Sequence, residues 1–249
     1  MATVALWRRL LAELLGSAFL AAAVVGSGIA ASRLSPGAPG LELLENAVAT
    51  GAALVAIILM VAPVSGAHLN PVVSFADAAL GGISWRDAVA YLPAQVVGCM
   101  LGAVLADVMF SLPAVAFSTT RRVTGPHLLS EGVATAGLLV GVFALARSGR
   151  SSVAPAAVGA YITAAYFFCS STSFANPAIT VGRMLSDTFA GIAPASVPPF
   201  IAAQVVGAVV AVVVVRLLYV GLTHEEALHL FTPSDDRPVV SLPAGEGPA

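Results

Sequence analysis

Ser65-Gly66-Ala67-His68-Leu69-Asn70-Pro71-Val72 and Ser173-Phe174-Ala175-Asn176-Pro177-Ala178 are the two stretches that decide the fold of this chain. Asparagine caps a helix by accepting from its first free amides, and proline is pre-organised for the first helical turn. Each Asn-Pro pair therefore reads as a helix start. Either pair alone would suggest no more than a capped buried helix. The two lie 106 residues apart, at matching places in two halves of an apolar chain. That duplication points to paired half-helices that meet inside a bilayer and form a pore.

The surrounding sequence supplies the bilayer. Of 249 residues, 58% are hydrophobic and only 10% charged, which excludes an ordinary soluble domain. Apolar segments near 10–31, 43–62, 88–109, 129–147, 153–170 and 197–220 are each long enough to cross. Their continuous runs lack the alternation of membrane β-strands, which excludes a barrel. The first segment, behind Arg8 and Arg9, resembles a secretory signal, but its length, Glu13 and its place in the repeat mark a retained span. The stretches 66–80 and 174–186 are too short to cross and read as re-entrant half-helices. Broken backbone at membrane depth is tolerated only beside protein or a water-filled cavity, so these segments are expected to line a channel.

Repetition extends beyond the Asn-Pro pairs. Tyr91-Leu92-Pro93-Ala94-Gln95-Val96-Val97-Gly98 returns as Phe200-Ile201-Ala202-Ala203-Gln204-Val205-Val206-Gly207, and Glu13 and Glu131 fall early in the first and fourth segments. Each half holds an odd number of spans, so the second enters the membrane inverted. The expected fold is an all-α membrane protein of six transmembrane helices plus two re-entrant half-helices in an inverted repeat. A single channel domain covers 1–220, with repeats at about 8–109 and 128–220, and a polar, Pro-rich tail follows over 221–249.

Arginine sets the orientation. With cytoplasmic termini, Arg8, Arg9, Arg86, Arg147, Arg150, Arg216 and Arg237 lie inside, against Arg33, Arg121, Arg122 and Arg183 outside. This favours a plasma (inner) membrane protein with both ends in the cytoplasm. A net charge of −2 without a basic run speaks against nucleic acid and leaves lipid as the surrounding partner. Cys99 and Cys169 lack metal-ligand spacing and read as core fillers, so no metal or cofactor is expected. No nucleophile elbow or catalytic cluster is present in the sequence, and no catalytic residue is assigned.

Two facing half-helix starts present unpaired N–H groups and positive dipole ends. A cation between them is opposed, while the Asn70 and Asn176 amides can donate to a passing hydroxyl oxygen. The arrangement suits neutral polyhydroxy solutes.

Over residues 8–220 the two loops resemble the signature loops of the aquaporin and aquaglyceroporin (major intrinsic protein) family. The resemblance implies a homotetramer with one pore per subunit and passive transport. It implies a central constriction at Asn70, Pro71, Val72, Asn176, Pro177 and Ala178. It makes Glu13 and Glu131 acceptors for the loop backbones, supported by Gln95 and Gln204. His68 matches the first-loop histidine, either as a structural hydrogen-bonder or as part of a gate.

The chain also departs from that family. Ile179 stands where an arginine usually follows the second Asn-Pro-Ala, which removes a charge that helps exclude cations. Family spacing places Thr50, Ala164 and Ser173 with Ile179 in the selectivity filter, a wider ring than usual. Arg183, one turn beyond Ile179, is either a displaced charge at the outer mouth or an anchor to a loop carbonyl or Asp187. The expected solutes are glycerol-like polyols, metalloid hydroxides such as arsenite or antimonite, methylated arsenicals, urea and water. The alternatives are a proton-coupled transporter using Glu13 or Glu131, and a scaffold with an occluded pore.

Overall fold

A computed structural model describes residues 4–219; the tail expected at 221–249 lies outside them. Eight α-helices form in order: α1 Leu6–Leu34, α2 Pro39–Ser65, α3 Pro71–Leu80, α4 Trp85–Met109, α5 Gly125–Arg147, α6 Ala154–Phe168, α7 Pro177–Arg183 and α8 Val197–Leu218. All but α3 and α7 are long and apolar enough to cross a membrane, α6 with its 3-10 lead-in from Ser151. The architecture is that of an all-α membrane protein with two short helices between its spans.

Local chemistry sets the boundaries. α2 stops at Gly66, whose φ of 88° caps it in the left-handed region that glycine enters freely. The chain then passes through left-handed turns at Ala67 and Leu69 to an extended Asn70, and the first short helix starts at Pro71, where the Asn-Pro pair reads as a helix start, so residues 66–70 of the re-entrant stretch are loop. The second ends at Arg183, not at 186. Beyond it the backbone turns to pair with the α4–α5 loop, where Ala116 donates to Leu185 O (2.8 Å) and Ser118 to Met184 O (2.9 Å). That exchange replaces the hydrogen bonds a longer helix would have made.

The two halves pack alike. α1 contacts α2 and α4 as α5 contacts α6 and α8, and α2 against α6 joins the halves. The repeated Gly98 and Gly207 allow close backbone approaches at matching places. A Cβ at Gly98 would collide with the Leu14 carbonyl of α1, and one at Gly207 with the Gly132 carbonyl of α5. Small residues at such crossings let backbones touch where lipid supplies no hydrophobic drive to associate. α3 packs on α4 and α8, as does α7, so both short helices lie inside the bundle with their Asn-Pro ends adjacent.

Candidate functional site: a pore between two half-helices

Asn70 Oδ1 accepts from Val72 N (3.1 Å), and Asn176 Oδ1 accepts from Ala178 N (2.9 Å) and Ile179 N (3.2 Å). Each asparagine thereby satisfies orphan amides of its own helix. The other end of each side chain crosses to the opposite loop. Asn70 Nδ2 donates to Ala175 O and Asn176 Nδ2 to Leu69 O, both at 2.8 Å. This reciprocal pair ties the helices start to start. An amide nitrogen carries two hydrogens, so each Nδ2 keeps one for the cavity that both residues line.

Glutamates hold the loops. Glu13 is fully buried and accepts four hydrogen bonds: Ser65 Oγ (2.6 Å) and His68 N (3.0 Å) on Oε1, Leu69 N (2.7 Å) and Gln95 Nε2 (2.8 Å) on Oε2. Glu131 accepts from Phe174 N (2.9 Å), Ala175 N (2.9 Å) and Gln204 Nε2 (2.7 Å). Gln95 also donates to Ser74 Oγ and Gln204 to Thr180 Oγ1, both at 3.0 Å, so each glutamine links a carboxylate to its half-helix. With the N–H groups turned toward carboxylates, the Leu69 and Ala175 carbonyls accept from the asparagines, and loop residues 67–70 and 173–176 line the cavity. Ala67, Leu69, Ser173 and Ala175 adopt φ between 45° and 53°, a left-handed conformation that costs non-glycine residues about 1 kcal/mol or more each. The hydrogen bonds to the two carboxylates keep that strained backbone in place.

The cavity runs past both loops. Its polar surface comes from residues 67–70, 173–176, Thr50, Tyr166 and Arg183; Leu20, Val24, Leu54, Ile58, Leu138 and Val142 supply apolar wall. Of the six residues expected at the central constriction, only Asn70 and Asn176 line it. Pro71, Val72, Pro177 and Ala178 are buried behind them, because the first two positions of each helix face protein. The third positions, Val73 and Ile179, reach the lumen instead.

Thr50, Ser173 and Ile179 line the cavity, but Ala164 does not. Ala164 is on the exposed face of α6, whereas Ile162 and Tyr166, four residues apart, share the inner face. Counting back from Asn176 without gaps crossed the 169–176 loop in the wrong register. Tyr166 OH lies 3.2 Å from Thr50 Oγ1, so an aromatic hydroxyl stands where a small side chain was expected. The buried residues Ile162, Ala165, Tyr166 and Cys169 follow helical spacing, but Ala164, Phe167 and Phe168 are equally apolar, so the sequence alone did not mark that face.

Arg183 is only 2% exposed and lines the cavity. Its Nε donates to the Ala190 carbonyl, and its guanidinium lies 3.4 Å from the Phe174 ring centroid. Asp187 is not its partner; that carboxylate accepts from Thr119 N (2.8 Å) and Thr119 Oγ1 (3.1 Å). Arg122, in the α4–α5 loop, donates to Gly191 O (2.7 Å) and Phe189 O (3.0 Å), and stands 5.3 Å from the Phe174 ring. Burial lowers its pKa, an effect that Glu131 and Tyr166 oppose.

His68 Nδ1 lies 3.0 Å from Ser74 Oγ, and Nε2 lies 3.3 Å from Asp77 Oδ2. The first contact is of the structural kind read for this histidine. Asp77, an acid buried on a half-helix, was missed, although a carboxylate in so apolar a stretch was the available signal.

Two short helices meeting start to start inside six spans, with a cavity between them, define a membrane channel. The sequence matches the model of the Major intrinsic protein family over residues 1–174 and 170–238, and the chain belongs to that family of channels, which are not enzymes. It is 48% identical to aquaglyceroporin AqpS of Rhizobium meliloti (strain 1021), over 86% of this chain and 91% of that protein. It is 34% identical to aquaporin NIP1-4 of Oryza sativa subsp. japonica, over 71% and 65% of the two chains. The solved aquaglyceroporin of Plasmodium falciparum superposes with a TM-score of 0.66 over 90% of this chain and 100% of that one, at 22% identity, a likeness of fold.

Proposed function

We propose that the chain is a passive channel for small uncharged hydroxyl-bearing solutes: glycerol-like polyols, metalloid hydroxides such as arsenite, and water. The observation that carries this reading is the two-sided cavity. Polar loop residues, with the second amide hydrogens of Asn70 and Asn176 as donors and the Thr50 and Tyr166 hydroxyls, make one part of its wall; the rest is aliphatic. A polyol, or the trihydroxy arsenous acid, can exchange its water for those groups while its remaining surface meets Leu and Val. Ile179, lining the lumen with an uncharged side chain, favours solutes larger than water. The name of the relative from Rhizobium meliloti supports the same class.

We assign Asn70 and Asn176 to the central constriction, and Thr50, Tyr166, Ser173 and Ile179 to the selectivity filter. Glu13, Glu131, Gln95 and Gln204 support the loops. Family membership favours a homotetramer with a pore in each subunit, and the arginine distribution favours a plasma (inner) membrane location with cytoplasmic termini. A proton-coupled mechanism draws no support from the site. Glu13 and Glu131 do not line the cavity, and each of their oxygens already accepts from a fixed donor.

Stopped-flow light scattering on proteoliposomes tests the reading with water, glycerol and arsenous acid. Glycerol and arsenous acid should enter faster than into protein-free vesicles. Water conduction alone would reject the wide-pore assignment.

A further inference from the structure

Among the described residues, Arg183 has no carboxylate partner: the two pairs within ion-pair distance are Arg9–Asp87 and His68–Asp77. Its hydrogen bond to the Ala190 carbonyl uses Nε and leaves Nη1 and Nη2 without a protein acceptor among those residues. A guanidinium that is 2% exposed and unpaired inside a membrane bundle is untenable unless water or a solute reaches it. The cavity is where that contact occurs. The side chain is also fixed. Ala190 holds Nε, and the Phe174 ring, itself edge-on to Phe200 at 5.3 Å and with its backbone N–H on Glu131, packs against the guanidinium.

We propose that Arg183 is a specificity-determining residue of the pore: a rigid cation set one helical turn from Ile179, whose Nη groups repel cations and donate to oxygen-rich neutral solutes. Ile179 and Arg183 are four residues apart on α7 and both line the lumen, so the charge missing from one position is supplied a turn further along. Solutes pass the Thr50–Tyr166 hydroxyl pair and the Arg183 fork within the same cavity, a surface that favours acceptor oxygens. The inference rests on the channel reading above, and its test separates the two.

Urea and guanidinium have nearly the same size and shape but differ in charge. Wild-type proteoliposomes should pass urea, read by light scattering, and block guanidinium, read as current across a planar bilayer. Arg183→Gln should raise the guanidinium-to-urea permeability ratio by about tenfold or more, since repulsion by a unit charge in a low-dielectric pore is lost. Arg183→Lys keeps the charge but cannot reproduce the planar Nε anchor; it should retain both urea flux and exclusion. Ile179→Arg combined with Arg183→Gln should restore exclusion. An unchanged ratio in a urea-conducting Arg183→Gln protein overturns the proposal. So does loss of all flux in Arg183→Gln and Arg183→Lys together, the result of a merely structural anchor. If Arg183→Gln alone is inactive, a conducting and cation-excluding Arg183→Lys supports the charge role. Wild-type vesicles that pass no neutral solute would instead reject the channel reading itself.

Discussion

Replacing Glu131 with glutamine separates a carboxylate that holds a loop from one that carries protons. Glu131 accepts from Phe174 N, Ala175 N and Gln204 Nε2. A glutamine has one acceptor oxygen, so in either orientation its amide NH2 faces at least one of those donors. Orphaning a buried donor costs about 1–3 kcal/mol, and the donors that remain lose their charge assistance, which brings the total to roughly 3–5 kcal/mol. That is comparable to the strain held at Ser173 and Ala175, about 1–3 kcal/mol each, so the 171–176 loop should relax out of its left-handed turns. For Glu131→Gln we expect a fall of about 10 °C in thermal midpoint in detergent. We also expect at least a fivefold loss of glycerol permeability, about 1 kcal/mol, shared by water and unaffected by a pH gradient. Differential scanning fluorimetry and stopped-flow flux on one preparation provide both readings. A proton relay predicts the opposite pairing, with stability unchanged or raised by removal of a buried charge and loss only of gradient-driven transport. That result would refute the scaffolding account.

Three further outcomes follow from the geometry. Ile179→Arg adds a second guanidinium one turn from Arg183, and glycerol and urea flux should fall about tenfold or more while water permeability stays within about threefold; equal glycerol uptake by variant and parent would remove Ile179 from the constriction. Tyr166→Phe deletes the hydroxyl 3.2 Å from Thr50, so glycerol permeability should drop roughly threefold with a smaller change for water, measured by paired shrinkage and re-swelling traces. Gly207→Leu drives a side chain into the Gly132 carbonyl of α5; the purified yield of folded protein should collapse, whereas Gly141→Leu, at a position with open space, should purify normally.

Much of this architecture was legible because it is written twice. Asn70 and Asn176, Glu13 and Glu131, and Gln95 and Gln204 each make matching contacts in the two halves, so each supported the reading of the other. What was lost lies where the halves differ. Ala164 was placed by counting through an irregular loop, and only the fold distinguishes the exposed Ala164 from the inward Tyr166. Val72 occupied a conspicuous motif position, yet its helix register turns it toward protein, and Val73 meets the lumen. Arg183 was ambiguous because a carbonyl anchor and a pore-facing charge were treated as exclusive. The side chain is compatible with both, since Nε donates to Ala190 O while the residue lines the cavity. Phe174 lies within the second loop motif and Asp77 is an acid in an apolar stretch, but neither feature names a partner; their contacts with Arg183 and with His68 are made through the fold.

The most direct test of passive conduction is glycerol permeability of proteoliposomes, measured as a function of glycerol concentration with and without an imposed pH gradient. The account predicts flux that rises linearly with concentration, well above protein-free vesicles, and is indifferent to the gradient. Flux that saturates and collapses when the gradient is dissipated would contradict it.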